Sequence, residues 1–120
     1  MSRSTKSHPG AAAYLRFLNL VEAIRSPALP SLDTTEERLL NVLGAAWHAG
    51  RRVTVLEAMQ MLPDASSTTV HRRLNALRGK GLLANETDVG DSRVKYLVPT
   101  PAAMSYFEEM GRCLTRASEN

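Results

Sequence analysis

Only one cysteine, Cys113, occurs in the 120 residues, so an internal disulfide and a CxxC metal knuckle are both excluded. Long apolar runs are absent too. None approaches the roughly 18 residues that a membrane span needs. Behind the charged start MSRSTKSHPG, the stretch from Ala11 to Leu20 is broken by Arg16 and Asn19, unlike the core of a signal peptide. A soluble, cytoplasmic protein with no membrane partner is the expectation. Catalytic signatures are missing as well. The histidines His8, His48 and His71 are scattered, and there is no HExxH and no GxSxG. Gly79-Lys80-Gly81 lacks the spacing and the hydroxyl of a phosphate loop. No cofactor, no metal and no enzymatic activity are expected. One absence is local: from Ser66 to Gly81 there is no acid at all.

What that stretch does hold is SSTTVHRRLNALRGKG, with the cations Arg72, Arg73, Arg78 and Lys80. The net charge of +3 is mild, but it is sorted along the chain. Residues 1–10 carry Arg3 and Lys6 without an acid, whereas 101–120 set Glu108, Glu109 and Glu119 against Arg112 and Arg116. Sorted charge of this kind is what an electrostatic footprint for a polyanion requires.

Periodicity and punctuation predict the elements. Residues 1–10 read as a disordered basic arm, and 11–31 as an N-terminal helix and connector. That helix spans Ala11 to Arg25, and Ser26-Pro27 and Pro30-Ser31 break the chain after it. A second helix opens at Asp33 or Thr34, with Glu36 or Glu37 completing a capping box. It buries Leu39, Leu40, Leu43 and Trp47 and ends at Gly50. A brief strand fits Arg51 to Val53. Thr54 with Glu57 starts another helix, to Met61, and Pro63-Asp64 turns the chain. Ser66 or Ser67 then caps the basic helix, which Gly79 and Gly81 stop. Leu82–Thr87 and Arg93–Val98 form a β-hairpin around Asp88–Ser92, with Val94, Tyr96 and Val98 alternating with Arg93, Lys95 and Leu97. Thr100 caps a last helix, with Pro101 at its first position.

Helix, strand, helix, turn, helix and hairpin in this order is the winged helix-turn-helix plan. The fold class expected is mainly α (α+β), with the winged domain at 32–99, flanked by N- and C-terminal helices. With Val70 at zero and roughly 100° per residue, Leu74 and Leu77 fall within about 40° of it. Thr68, Arg72, Asn75 and Ala76 come to the far side, with Thr69 and His71 on the shoulders; Arg73 lies nearer the buried stripe, its long stem able to snorkel outward. Arginine pairs with guanine, asparagine with adenine, and threonine offers a methyl and a hydroxyl, so this face suits a DNA major groove. Ser66, Ser67 and the helix N-terminus offer N–H groups to a phosphate. On the hairpin, Asp91 and Arg93 are two apart, placed to share one side of an extended strand; the spacing fits equally a carboxylate that orients the guanidinium toward the minor groove and a surface salt bridge at a loop end. Lys95 adds a cation for the phosphates.

Thr69-Val70-His71-Arg72-Arg73-Leu74, continued by Leu77 and Gly81-Leu82, follows the pattern TVxRxhxxLxxxGLh (h apolar), and Asp91-Ser92-Arg93 matches D-x-R. Together these resemble the MarR-type winged helix-turn-helix transcriptional regulators over Asp33 to Thr100. Thr100 also sits where that family keeps a threonine, whereas Pro99 and Ala103 replace its usual leucine and glycine. The resemblance implies that Thr68, Thr69, His71 and Arg72 face bases or phosphates and that Arg93 probes the minor groove. It implies a homodimer built by the terminal helices, often a repressor, and leaves a small-molecule effector open.

The C-terminal helix, residues 100–120, shows Met104, Phe107, Met110 and Leu114 as one stripe, flanked by Ala103, Tyr106, Cys113 and Ala117. Its apolar breadth, and that of the N-terminal helix, exceed what a small winged domain needs for cover. Tyr14, Phe17, Leu18, Val21, Phe107, Met110 and Leu114 are therefore the candidate dimerisation residues. Cys113 suits inert packing better than redox sensing, and Trp47-His48 suits a core position better than an effector cavity. The function expected is a sequence-specific double-stranded DNA-binding regulator acting on a pseudo-palindromic site. The alternative is a winged-helix module docking an acidic protein partner. An RNA-binding winged helix is less favoured, because the groove that a helix reads in DNA is closed in RNA.

Overall fold

Local capping decides where most helices begin in the computed structural model, which describes residues 8–119, without the side chains of 25–28. The elements in chain order are α1 (Pro9–Ala28), α2 (Thr34–His48), β1 (Val53–Thr54), α3 (Val55–Ala58), α4 (Ser67–Gly79), β2 (Leu83–Thr87), β3 (Lys95–Pro99) and α5 (Pro101–Ser118). Asp33 caps α2 and Thr54 caps α3, each in a reciprocal capping box with the glutamate three residues on. Ser66, not Ser67, caps α4. The basic arm expected at 1–10 lies outside the described residues as far as Ser7, and Pro9 and Gly10 are already helical. The first helix is longer than its pattern indicated, passing through Pro27 to Ala28.

Two helices end alike. Arg51 N–H donates to Ala46 O and Gly50 N–H to Trp47 O; Leu82 N–H donates to Leu77 O and Gly81 N–H to Arg78 O. These paired bonds define a Schellman ending, which needs a left-handed residue, and Gly50 and Gly81 supply it at φ 83° and 79°. The expected helix from Thr54 to Met61 is shorter, ending at Ala58 and followed by turns to Met61.

Residues 32–104 form one compact unit, and residues up to 31 with those from 105 onward form another. In the first, an antiparallel sheet of order β1-β3-β2 pairs Val53 with Leu97, Leu83 with Pro99 and Thr87 with Lys95. The hairpin alternation is resolved in favour of Leu97, which is buried while Val94, Tyr96 and Val98 are half-buried. The register explains it: Leu97 faces inward opposite Val53, and Tyr96 lies on the outer face, where the Arg52 guanidinium sits 3.8 Å from its ring centroid. Leu39, Leu40, Leu43, Val53, Val70, Leu74, Leu77, Leu82 and Leu97 are fully buried, and α4 packs on α2. Trp47 belongs to this body and donates from Nε1 to Leu97 O at 3.0 Å.

In the second unit, Arg16 ties α1 to α5, donating to Ala117 O from Nε at 3.0 Å and from Nη2 at 2.7 Å. The charge meets the carbonyl end of a helix, where a cation is favoured. Tyr106 and Phe107 meet edge to face.

Candidate nucleic-acid interface

The candidate recognition element is α4. Ser66 Oγ accepts the Thr69 N–H at 3.1 Å and its hydroxyl donates to Thr69 Oγ1 at 2.9 Å, which sets the first turn. Val70, Leu74 and Leu77 are pinned inside, so the 3.6-residue period turns Ser67, Thr68, His71, Arg72 and Asn75 outward, where all five are exposed. Thr69 is half-buried, and Ser66 is exposed at the cap.

Charge on this helix is less available than its sequence suggests. Arg73 turns back, its Nη1 3.1 Å from Asp33 Oδ2 and 3.9 Å from Glu36 Oε2. Lys80 Nζ lies 2.7 Å from Glu36 Oε1. The outward reach expected of Arg73 is thus corrected: its guanidinium is held by the carboxylates of Asp33, the cap of α2, and Glu36 in its first turn. Arg78 donates to Asn85 Oδ1 at 2.8 Å and to Asn75 Oδ1, so the Asn75 amide keeps its N–H₂ for an outside acceptor. Among the described residues, Arg72 is the α4 cation without an ionic or side-chain hydrogen-bond partner. It is the side chain best placed to engage a ligand.

The wing is built by acids that organise its loop. Asp88 Oδ2 accepts the Gly90 and Asp91 N–H groups, both at 2.9 Å, and Val94 N–H donates to Asp91 O at 3.0 Å. Asp91 then holds Arg93 in a fork: Nε donates to Oδ1 and Nη2 to Oδ2, each at 3.0 Å, and the Arg93 N–H also donates to Oδ1. The pairing expected from sequence is present, but the backbone makes it through a turn and not through an extended strand. The Arg93 hydrogen bonds hold the Asp91 carboxyl below its ordinary range, and Asp91 raises the Arg93 guanidinium in turn. With its side chain 88% exposed, Arg93 is oriented yet uncovered. Lys95 Nζ donates to Ser92 O at 3.0 Å and carries its charge at the base of the wing. An open cleft of about 340 Å³ there is lined by Thr54, Val55, Leu56, Arg93, Val94 and Lys95.

Sequence reasoning missed the supports. Arg38 donates twice to Asp64, each bond 3.1 Å, fastening α2 to the turn before α4. Thr100 caps α5 as its sequence predicts, accepting the Ala103 N–H at 3.1 Å, but its Oγ1 also donates to Gly81 O at 2.6 Å, a link from the end of α4 to the start of α5 that no local pattern shows. Of the dimerisation candidates, Tyr14, Leu18 and Leu114 are exposed, and Phe17, Phe107 and Met110 are half-buried. Val21, 4% exposed, is buried within the chain and drops out. On α5 the flanking residues Ala103, Tyr106, Cys113 and Ala117 are buried, and the stripe that holds the dimerisation candidates has Met104 and Leu114 exposed and Phe107 and Met110 half-buried. Among the described residues no group of three or more His, Cys, Asp or Glu is arranged to hold a metal, and no helix is long and apolar enough to cross a membrane.

The fold and this surface define a winged helix with an outward recognition helix and an arginine-bearing wing. No protein-family model and no curated relative matches the chain. Solved structures do. MepR of S. aureus bound to ethidium bromide has a TM-score of 0.71 at 16% identity, with 97% of this chain and 76% of that chain covered. A variant of the same protein bound to an oligodeoxyribonucleotide has a TM-score of 0.65 at 16% identity, covering 97% and 78%. The heme sensor protein PefR from Streptococcus agalactiae, in complex with heme, has 0.60 at 16% identity, covering 96% and 73%. These neighbours are MarR-family regulators, and the chain has their winged-helix fold.

Proposed function

We propose that this protein is a sequence-specific, double-stranded DNA-binding transcriptional regulator of MarR type, not an enzyme, acting as a homodimer on a pseudo-palindromic site. The observation that carries it is the outward face of α4, where Thr68, His71, Arg72 and Asn75 are exposed above a stripe that is fully buried. Arginine offers guanine two parallel donors, the free amide hydrogens of Asn75 meet an acceptor, and the Thr68 methyl suits thymine. At the helix start the Ser67 and Thr68 N–H groups and the Ser67 and Thr69 hydroxyls face a phosphate, the Ser66 hydroxyl and the Thr69 N–H being engaged with each other at the cap. Arg93, braced by Asp91, enters the adjacent minor groove, and Lys95 neutralises backbone charge. An oriented cation loses less freedom on binding than a loose one.

Dimerisation is assigned to the exposed apolar residues of the terminal helices. Tyr14 is 60% and Leu114 61% exposed, with Leu15 and Leu18 alongside Tyr14. A twofold pair presents two α4 helices about 10–10.5 base pairs apart. The likeness to MepR, solved with an oligodeoxyribonucleotide, and to PefR, solved with heme, supports a DNA partner and a small-molecule effector for this chain. Repression is the mode in keeping with this type.

Selection of bound duplexes from a random pool at physiological salt tests the reading. Enrichment of a symmetric site is expected. A specificity ratio near one over bulk DNA would transfer the basic face to an acidic protein partner.

A further inference from the structure

Among the described residues the buried charged side chain is Glu36, 2% exposed. Its Oε1 accepts the Asp33 N–H at 2.8 Å and lies 2.7 Å from Lys80 Nζ, and its Oε2 is 3.9 Å from Arg73 Nη1. Arg73 in turn meets Asp33 at 3.1 Å. The capping box fixes this carboxylate at the first turn of α2. From there it holds the C-cap of α4 directly through Lys80, while about two turns earlier Arg73 pairs closely with Asp33 of the same capping box and only at long range with Glu36.

The apolar contacts of Val70, Leu74 and Leu77 hold α4 against the body, but hydrophobic burial is non-directional. Charge-assisted hydrogen bonds are directional, and a buried carboxylate stripped of its partners is strongly disfavoured. A rotation or slide of α4 on α2 would open these bonds. Base recognition requires the reading groups within about 0.5 Å and 10–20° of productive geometry, a tolerance set by the shell behind them. Phosphate contacts from flexible cations have no such requirement.

We propose that Glu36 is a positioning residue for base recognition: from beneath α4, and without touching DNA, it sets the angle and register at which Thr68, His71, Arg72 and Asn75 meet the bases. This rests on the DNA-binding reading above. The consequence is a split between specific and bulk binding. Loss of the clamp degrades recognition of the preferred site while electrostatic binding to any duplex persists.

Glu36→Gln tests it, because glutamine at this position still accepts the Asp33 N–H of a capping box and removes only the charge. Lys80→Gln cuts the same clamp from the outer rim, where the side chain is 35% exposed, and serves if the first variant folds poorly. Dissociation constants for the selected duplex and for bulk duplex are measured at one salt concentration. The specificity ratio is expected to fall about tenfold in either variant, with bulk binding changed by less than about twofold. Amide exchange in DNA-free protein should quicken over residues 70–79 and stay unchanged over β2 and β3. A ratio within about twofold of the parent in both variants overturns the proposal, as does equal weakening on both duplexes, the signature of a lost folded fraction. A parent protein without site preference is a separate outcome, which removes the DNA-binding reading and this role with it.

Discussion

Replacing Arg72 by alanine separates base reading from general attraction more cleanly than any other change. The side chain is exposed, carries no ionic partner and contributes nothing to the buried stripe. Stability should therefore move by no more than about 0.5 kcal/mol, the range for surface substitutions, and alanine is the best helix former. Binding should respond quite differently. A bidentate contact to a guanine is worth about 1–3 kcal/mol of discrimination. At 1.4 kcal/mol per decade that is roughly fivefold to 150-fold per half-site, counted twice in a twofold complex. Fluorescence anisotropy on the selected duplex, and on duplexes altered one base pair at a time, measures it. The parent should discriminate sharply at one position in each half-site, and Arg72→Ala should lose preference at that position and keep it at the others. Uniform weakening on every duplex, with the salt slope flatter by about 0.9, would make Arg72 a phosphate contact instead. An unchanged affinity would remove it from the interface altogether.

Other perturbations reach other parts of the account. Leu74→Ala, at a position 1% exposed on the buried face of α4, should cost about 2–5 kcal/mol in a denaturant melt; a loss below about 1 kcal/mol would mean that the stripe is not pinned. Ser66→Ala removes the cap of α4 and should cost about 1 kcal/mol, seen as a midpoint roughly 4–8 °C lower for a domain of this size. The Asp91 carboxyl, lowered chiefly by the Arg93 side-chain hydrogen bond, contributes in full above the ordinary carboxylate range and loses its contribution as pH falls through the lowered value. Carboxyl NMR should find it titrating below an unstructured aspartate, and the wing should not respond between pH 6 and 8, the span expected from about 3.9 for a free carboxyl; a value at or above the ordinary one contradicts the brace. Leu18→Glu together with Leu114→Glu should convert dimer to monomer in sedimentation, and an unchanged mass would place the dimer surface elsewhere.

What could be read from sequence was whatever a few neighbouring residues decide. Asp33 with Glu36, Thr54 with Glu57, and Ser66 with Thr69 each close within three positions, so three helix starts were legible. The Val70, Leu74 and Leu77 stripe, and the fork between Asp91 and Arg93, are equally local. Partners far apart in the chain were not. Arg73 and Lys80 counted as outward cations until α2 brought Asp33 and Glu36 beneath them, 40 and 44 positions away respectively. On α5 two adjacent stripes are both apolar, and periodicity alone cannot tell Ala103, Tyr106, Cys113 and Ala117 from Met104, Phe107 and Leu114. Val21 was misplaced for a similar reason, since a broad apolar helix does not announce which edge its own chain covers. The α3 helix came out short because turns, not a further helical turn, carry the chain from Ala58 to Pro63.

The most direct measurement is amide chemical-shift mapping of the protein titrated with its selected duplex. Shifts and line broadening should concentrate at residues 66–76 and at 91–95, with the Arg72 and Arg93 side-chain signals among the most affected. Perturbation confined to α1 and the far end of α5, with α4 silent at saturating duplex, would contradict the assignment of α4 as the reading helix.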